Sequence, residues 1–242
     1  MSDSSPCSFL EWDSNFFGRR IARVESHRLN AELVARISEW CRENTIDCLY
    51  LLADADDSQT VVCAEEWKAH FVDIRVTMES DDLSLTTSGP SVRACRDEDL
   101  PLLRRIARSS HHDGRFFFDS RFQPEQCESF YETWIVRSSE GFADKVLVAE
   151  LNGRPAGYVT CHFEGASKRG RIGLFAVGED ARGYGMGQDL TAAALHWFSE
   201  KQVEHVEVVT QGRNVAAQRL YAKCGFRIRS LSVWYHKWFN RE

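Results

Sequence analysis

Leu174–Leu190 reads LFAVGEDARGYGMGQDL, and this stretch decides the fold. An apolar strand enters a turn that carries glycine at every second position, Gly183, Gly185 and Gly187, and a helical pattern starts directly after it. Glycine lets the backbone take positive φ and lie close to a ligand. The first amides of a helix have no partner within the helix, and the helix dipole adds positive potential there, so the turn is a site for an anion. Arg182 adds a guanidinium suited to phosphate oxygens. Two common phosphate loops are excluded. No G-K-[ST] follows, and the spacing is not G-x-G-x-x-G at the head of a βαβ unit.

Downstream, Thr210–Phe226 reads TQGRNVAAQRLYAKCGF. Asn214 is suited to cap a helix and Gly225 to end it. Asn214 and Tyr221 are seven positions apart, so they share nearly one helix face.

The arrangement Val177-x-x-x-x-Arg182-Gly183-x-Gly185-x-Gly187 resembles the coenzyme A pyrophosphate loop of the GNAT acetyltransferases. Asn214-x-x-Ala217-x-x-x-Tyr221-x-x-x-Gly225-Phe226 is similar to a second pattern of that superfamily. The resemblance spans roughly residues 91–242. It implies an α/β (α+β) fold with a mixed, mostly antiparallel central sheet flanked by helices. It implies acetyl-coenzyme A as co-substrate and direct transfer of the acetyl group to an amine. Backbone groups of Leu174, Phe175, Ala176 and Val177 would meet the pantetheine arm. Arg182, Gly183, Tyr184, Gly185, Met186 and Gly187 would hold the diphosphate, with Asn214 and Ala217 beside them. The strand Leu174–Val177 would splay from Val206–Thr210, and the amide of Phe175 or a neighbour would polarise the thioester carbonyl. Tyr221 would give a proton to the departing sulfur, since a phenol with pKa near ~10 is protonated at neutral pH. No base is evident: Gly173 and Phe175 carry none. His162, Glu164, His111 and His112 read as surface or packing residues, and a water chain is an option.

The rest of the chain forms two parts by pattern. A polar, turn-rich stretch at 84–90 divides a lobe of residues 1–88 from a domain of 91–242. The lobe contains a single glycine, Gly18, so it has no phosphate loop of its own. By the resemblance it is a smaller, truncated GNAT-like lobe. Within it, periodicity predicts strands at 20–24, 48–52 and 71–78 and helices at 31–42 and 60–70. In the domain it predicts strands at 91–95, 145–151, 155–163, 171–177, 203–210, 226–228 and 231–237. Helices are predicted from Asp97 as cap to about 108, and at 123–136, 187–201 and 214–224. Asn152-Gly153 is a favoured hairpin turn.

Trp12–Gly18 and Gly114–Asp119 concentrate aromatics, with Arg115 in the second. They read either as core packing, the first at a strand start, or as ligand contacts. Taken with the motifs above, they resemble the dTDP-fucosamine acetyltransferase family of surface-polysaccharide synthesis. That resemblance implies a dimer and a nucleotide-linked 4-amino sugar as acceptor, with Phe16, Phe17, Arg115, Phe116 and Arg171 as its contacts. The poor match around Asp54–Asp57 leaves the sugar open. Other amine acceptors, and a non-catalytic acyl-coenzyme A sensor, stand as alternatives.

Composition sets outer bounds. The net charge of −6 gives no nucleic-acid footprint. No run nears the roughly 20 apolar residues of a membrane span, and residues 1–7 lack the features of a secretory signal. The eight cysteines form no C-x-x-C pair and no zinc-ligand spacing, so free thiols, no metal and a cytoplasmic location are expected.

Overall fold

A computed structural model describes residues 5–85 and 92–239. The chain forms two compact units that are not contiguous in sequence. The first takes the chain up to Arg75, Gly114–Gln123 and everything from Leu231 onward. The second takes Val76–Asp113 and Pro124–Ser230. Most of the stretch at 84–90, where the sequence suggests a division, lies outside the described residues.

The first unit contains strands β1 (Cys7–Phe9), β2 (Ile21–Val24) and β3 (Cys48–Asp54) and helices α1 (Glu11–Phe17), α2 (Ala31–Glu43) and α3 (Ser58–Glu66). β1 pairs antiparallel with β2, and β2 runs parallel to β3. Leu231 onward supplies most of a strand to this unit, and Ser232–Trp238 pairs antiparallel with Cys48–Asp54. β3 is almost wholly buried along Cys48–Ala53, which explains its unbroken apolar sequence. Asn30 and Asp57 cap α2 and α3 by accepting from Leu33 N–H and Thr60 N–H.

Where the sequence suggests a strand start at Trp12–Gly18, α1 runs to Phe17 and is capped by Gly18 at φ +64°. α3 stops at Glu66 rather than near His70, and Lys68 takes φ +58°. The last strand is continuous from Arg227 to Trp238 instead of two pieces.

β4 (His70–Ser80) starts in the first unit and ends in the second, which also contains β5 (Val92–Ala94), α4 (Leu100–Ser110), α5 (Pro124–Arg137), β6 (Lys145–Leu151), β7 (Arg154–Glu164), β8 (Arg169–Val177), α6 (Met186–Glu200), β9 (His205–Gln211) and α7 (Val215–Lys223). The strands lie in the order β9-β8-β7-β6-β5. All neighbours are antiparallel except β8 and β9. Asn152 and Gly153 close the β6–β7 hairpin at φ +52° and +74°. α4 starts after a 3-10 turn at Asp97–Asp99, so Asp97 is not its cap. Asp99 instead accepts from the Arg96 N–H and is gripped by both terminal nitrogens of Arg93. α6 and α7 cover one sheet face through Leu190, Ala194, Phe198, Leu220 and Tyr221 against Ile172, Val206 and Val208.

Candidate active site

Two features of β8 set the geometry. Its parallel pairing with β9 runs from Arg169↔His205 to Ile172↔Val208 and ends there. From Gly173 to Val177 the two strands part, and a wedge opens in the sheet. On its other side, β8 keeps pairing with β7, but the register jumps. Cys161 faces Ile172 and Val159 faces Phe175, so Gly173 and Leu174 together oppose Thr160. This is a β-bulge on β8, placed where the wedge begins. Thr160 is fully buried, and its Oγ1 accepts the Leu174 N–H at 2.7 Å.

After Val177 the chain makes a 3-10 turn at Glu179–Ala181 and reaches the glycine turn. Gly183 and Gly185 take φ +86° and +82°, and a Cβ on Gly183 would meet nothing within 4 Å. Gly183 is thus required for conformation and not for space. α6 then starts at Met186 with no side chain capping it. An anion would supply the missing acceptor. Gly187 differs from the other two. It is helical, and a Cβ there would stand 3.0–3.2 Å from the Leu220 methyls of α7. Gly187 therefore also serves the α6–α7 contact, independently of any bond its amide makes to a ligand. Arg182 and Tyr184 are exposed. The Met186 side chain is buried, so only its backbone faces the turn.

α7 forms the other flank. Asn214 Oδ1 accepts the Ala217 N–H at 3.0 Å and starts the helix. Two turns on, Tyr221 is 3% exposed, with its ring edge-on to Phe175 of β8 at 5.8 Å and tilted on Phe226 at 5.7 Å. Burial, then the Cys224 thiol, pushes its phenol well above the ordinary tyrosine value. The phenol therefore stays protonated over the whole neutral range.

The residues expected to meet an acceptor fall in both units. Arg171, exposed on β8, faces His162 and Glu207 in register. In the first unit, Phe17 and Phe116 are buried against each other, Phe122 and Tyr50, so their faces are spent on packing; Phe16 is half-buried beside Phe17. The Arg115 guanidinium lies over the rings of Tyr50, Phe116 and Trp234 at 4.2–4.6 Å. Burial raises the Asp13 carboxyl pKa despite the opposing pull of Arg115. Beneath them His236 Nδ1 meets Asp119 at 2.8 Å, and Trp238 Nε1 donates to the same carboxylate. Tyr50 and Trp234 are not evident from the sequence because only the register of β3 with the last strand brings them to Arg115. Thr160 escapes it because nothing local marks the bulge.

Residues 105–226, half of the chain, match the family model described as the acetyltransferase (GNAT) family. The chain belongs to the GNAT acetyltransferase family. It is thus an acyl-coenzyme A-dependent N-acetyltransferase, with acetyl-coenzyme A as co-substrate. This GNAT chain is 25% identical over 234 residues to the dTDP-fucosamine acetyltransferase of Escherichia coli O6:H1, a match covering 94% of this chain and 96% of that one. It is 27% identical over 146 residues to the spore coat polysaccharide biosynthesis protein SpsD of Bacillus subtilis, covering 60% of this chain and 49% of that relative. The fold is similar to a GCN5-related N-acetyltransferase structure from Sphaerobacter thermophilus, with a TM-score of 0.65 at 14% identity over 96% of this chain and 76% of that one. Among the described residues, no helix of this GNAT chain is long and apolar enough to cross a membrane.

Proposed function

We propose that this acetyltransferase acetylates the 4-amino group of a dTDP-linked 4-amino-4,6-dideoxy sugar, a precursor of surface polysaccharide. The observation that carries the reading is the match to dTDP-fucosamine acetyltransferase, which runs through nearly the full length of both chains. The second polysaccharide-related relative supports it.

The chemistry follows from the chain's own groups. Acetyl-coenzyme A supplies an activated acetyl thioester. The uncapped start of α6, with Gly183, Tyr184 and Gly185, binds the diphosphate through backbone amides, and Arg182 adds charge. The edge of β8 from Leu174 to Val177, released from β9, takes the pantetheine arm between the strands. Asn214 and Ala217 bound that arm from α7. An amide at the bulge polarises the thioester carbonyl; the Leu174 N–H is already engaged by Thr160, so the donor is the Gly173 or Phe175 N–H. Tyr221 protonates the leaving sulfur, a form of help worth about 10²–10⁴-fold in rate. Arg171, exposed at the wedge's end of β8, is assigned to the acceptor.

A free-thiol assay tests the acceptor. Acetyl-coenzyme A is offered with dTDP-linked 4-amino sugars, polyamines and peptides. Thiol release is expected with the nucleotide sugars; release with peptides alone overturns the assignment.

A further inference from the structure

Gly173 is the residue at which β8 leaves β9, and it has no side chain to offer the reacting groups. The space its side chain would fill is nevertheless occupied. A carbon at that position would stand 2.7 Å from His162 Nε2 and 2.6 Å from Thr160 Oγ1. His162 belongs to β7, where it faces Arg171 in register. Its imidazole therefore reaches over β8 on the face that Gly173 vacates, at the first residue of the wedge.

We propose that His162 is the general base of the transfer, its Nε2 standing at the mouth of the strand parting in place of a side chain at 173. This rests on the reading of the wedge as the acyl site of an N-acetyltransferase.

The surroundings suit that task. The ring packs edge-on against Phe142 at 5.7 Å, whose backbone favours the charged imidazole. Arg171 faces it from β8. Asp144, whose carboxylate accepts the Phe163 N–H, acts on it from just before β6, and Arg137 lies over the Phe142 ring. Burial and Arg171 outweigh Asp144 and the Phe142 backbone, so the imidazole titrates below its ordinary value and is neutral at pH 7. A neutral imidazole is the form that accepts a proton.

His162 Nε2 takes a proton from the acceptor ammonium and becomes imidazolium. The freed lone pair forms the C–N bond at the thioester carbonyl. The C–S bond breaks with its pair on sulfur, and the Tyr221 phenol protonates that sulfur. The second proton lost by nitrogen restores the phenol, and the imidazolium returns its proton to solvent. One proton is released overall.

The test compares His162→Gln and His162→Ala with the wild-type enzyme. Acetyl-coenzyme A affinity, measured by titration, is expected to stay unchanged and shows that the variants fold. The value of kcat is expected to fall by about 10²-fold or more. The acid limb of kcat/KM, set in the wild type by imidazole protonation, is expected to vanish, and added imidazole to restore turnover in His162→Ala. Gly173→Ala, which presses on both the His162 ring and Thr160 Oγ1, is expected to lower kcat. Full turnover in His162→Gln with the same acid limb overturns the proposal. Should the wild type bind acetyl-coenzyme A yet acetylate no amine of the panel, the acceptor reading fails instead. A ¹⁵N spectrum of the His162 ring in the acetyl-coenzyme A complex then decides the base alone: a bare Nε2 at pH 7 supports it, and a protonated one refutes it.

Discussion

The Leu174 N–H donates to Thr160 Oγ1 at 2.7 Å, so a side chain of β7 replaces the backbone acceptor that the bulge on β8 removes. The bond is buried at both ends. Thr160→Val keeps the shape and deletes the acceptor. An unpaired buried amide costs about 1–3 kcal/mol. Chemical denaturation is expected to show a loss of that order, with kcat falling because the bulge relaxes. Wild-type stability in the variant contradicts this.

Tyr221 is buried against Phe175, the strand residue next to the bulge. Tyr221→Phe removes one oxygen and leaves the packing. Turnover is expected to fall by about 10²-fold or more, while acetyl-coenzyme A affinity is unchanged. Undiminished kcat removes Tyr221 from the mechanism.

The glycines of the turn are separable by experiment. Gly185 takes φ +82°, a conformation that costs an L side chain about 1–2 kcal/mol. Gly185→Ala is expected to weaken acetyl-coenzyme A binding by about tenfold if that strain falls on the bound form. Gly187→Ala presses on Leu220 instead, and is expected to lower Tm while binding stays intact. Equal losses of affinity in the two variants contradict the division of roles.

That division shows what local sequence conveys. The turn, its arginine and the α7 cap were legible because their chemistry is written in adjacent residues. Asn152-Gly153 was legible for the same reason. α1 was not, since seven residues hold too little of a 3.6 period to distinguish it from a strand start with aromatics. The bulge at Gly173 and Leu174 depends on how β7 and β8 align across a hairpin, which no local pattern encodes. The position of His162 follows from that alignment, so the sequence shows it only as a histidine near a strand end. Arg115 is similar: its aromatic neighbours Tyr50 and Trp234 come from strands far apart in the chain.

Stability is expected to fall in mild acid. Burial lowers His236 to about 4 despite Asp119, and burial with His112 nearby lowers His111 to about 4. Unfolded histidine titrates near ~6.5. Between pH 6.5 and about 4 the unfolded chain therefore binds more protons than the folded one, and stability drops as pH falls through that window. The His236 contribution is complete above pH 6.5 and erodes by roughly 1.4 kcal/mol per pH unit below it. Calorimetry from pH 7.5 to 4.5 is expected to show a falling Tm, with a shallower slope in His236→Gln. A flat profile contradicts the neutral, buried imidazoles.

A crystal structure with acetyl-coenzyme A bound would locate the diphosphate and the acyl group. The diphosphate is expected on the backbone amides of Gly183–Met186 with Arg182 alongside, and the thioester carbonyl beside Gly173 in the opening between β8 and β9. A diphosphate seated away from the start of α6, or an acyl group outside that opening, contradicts this placement.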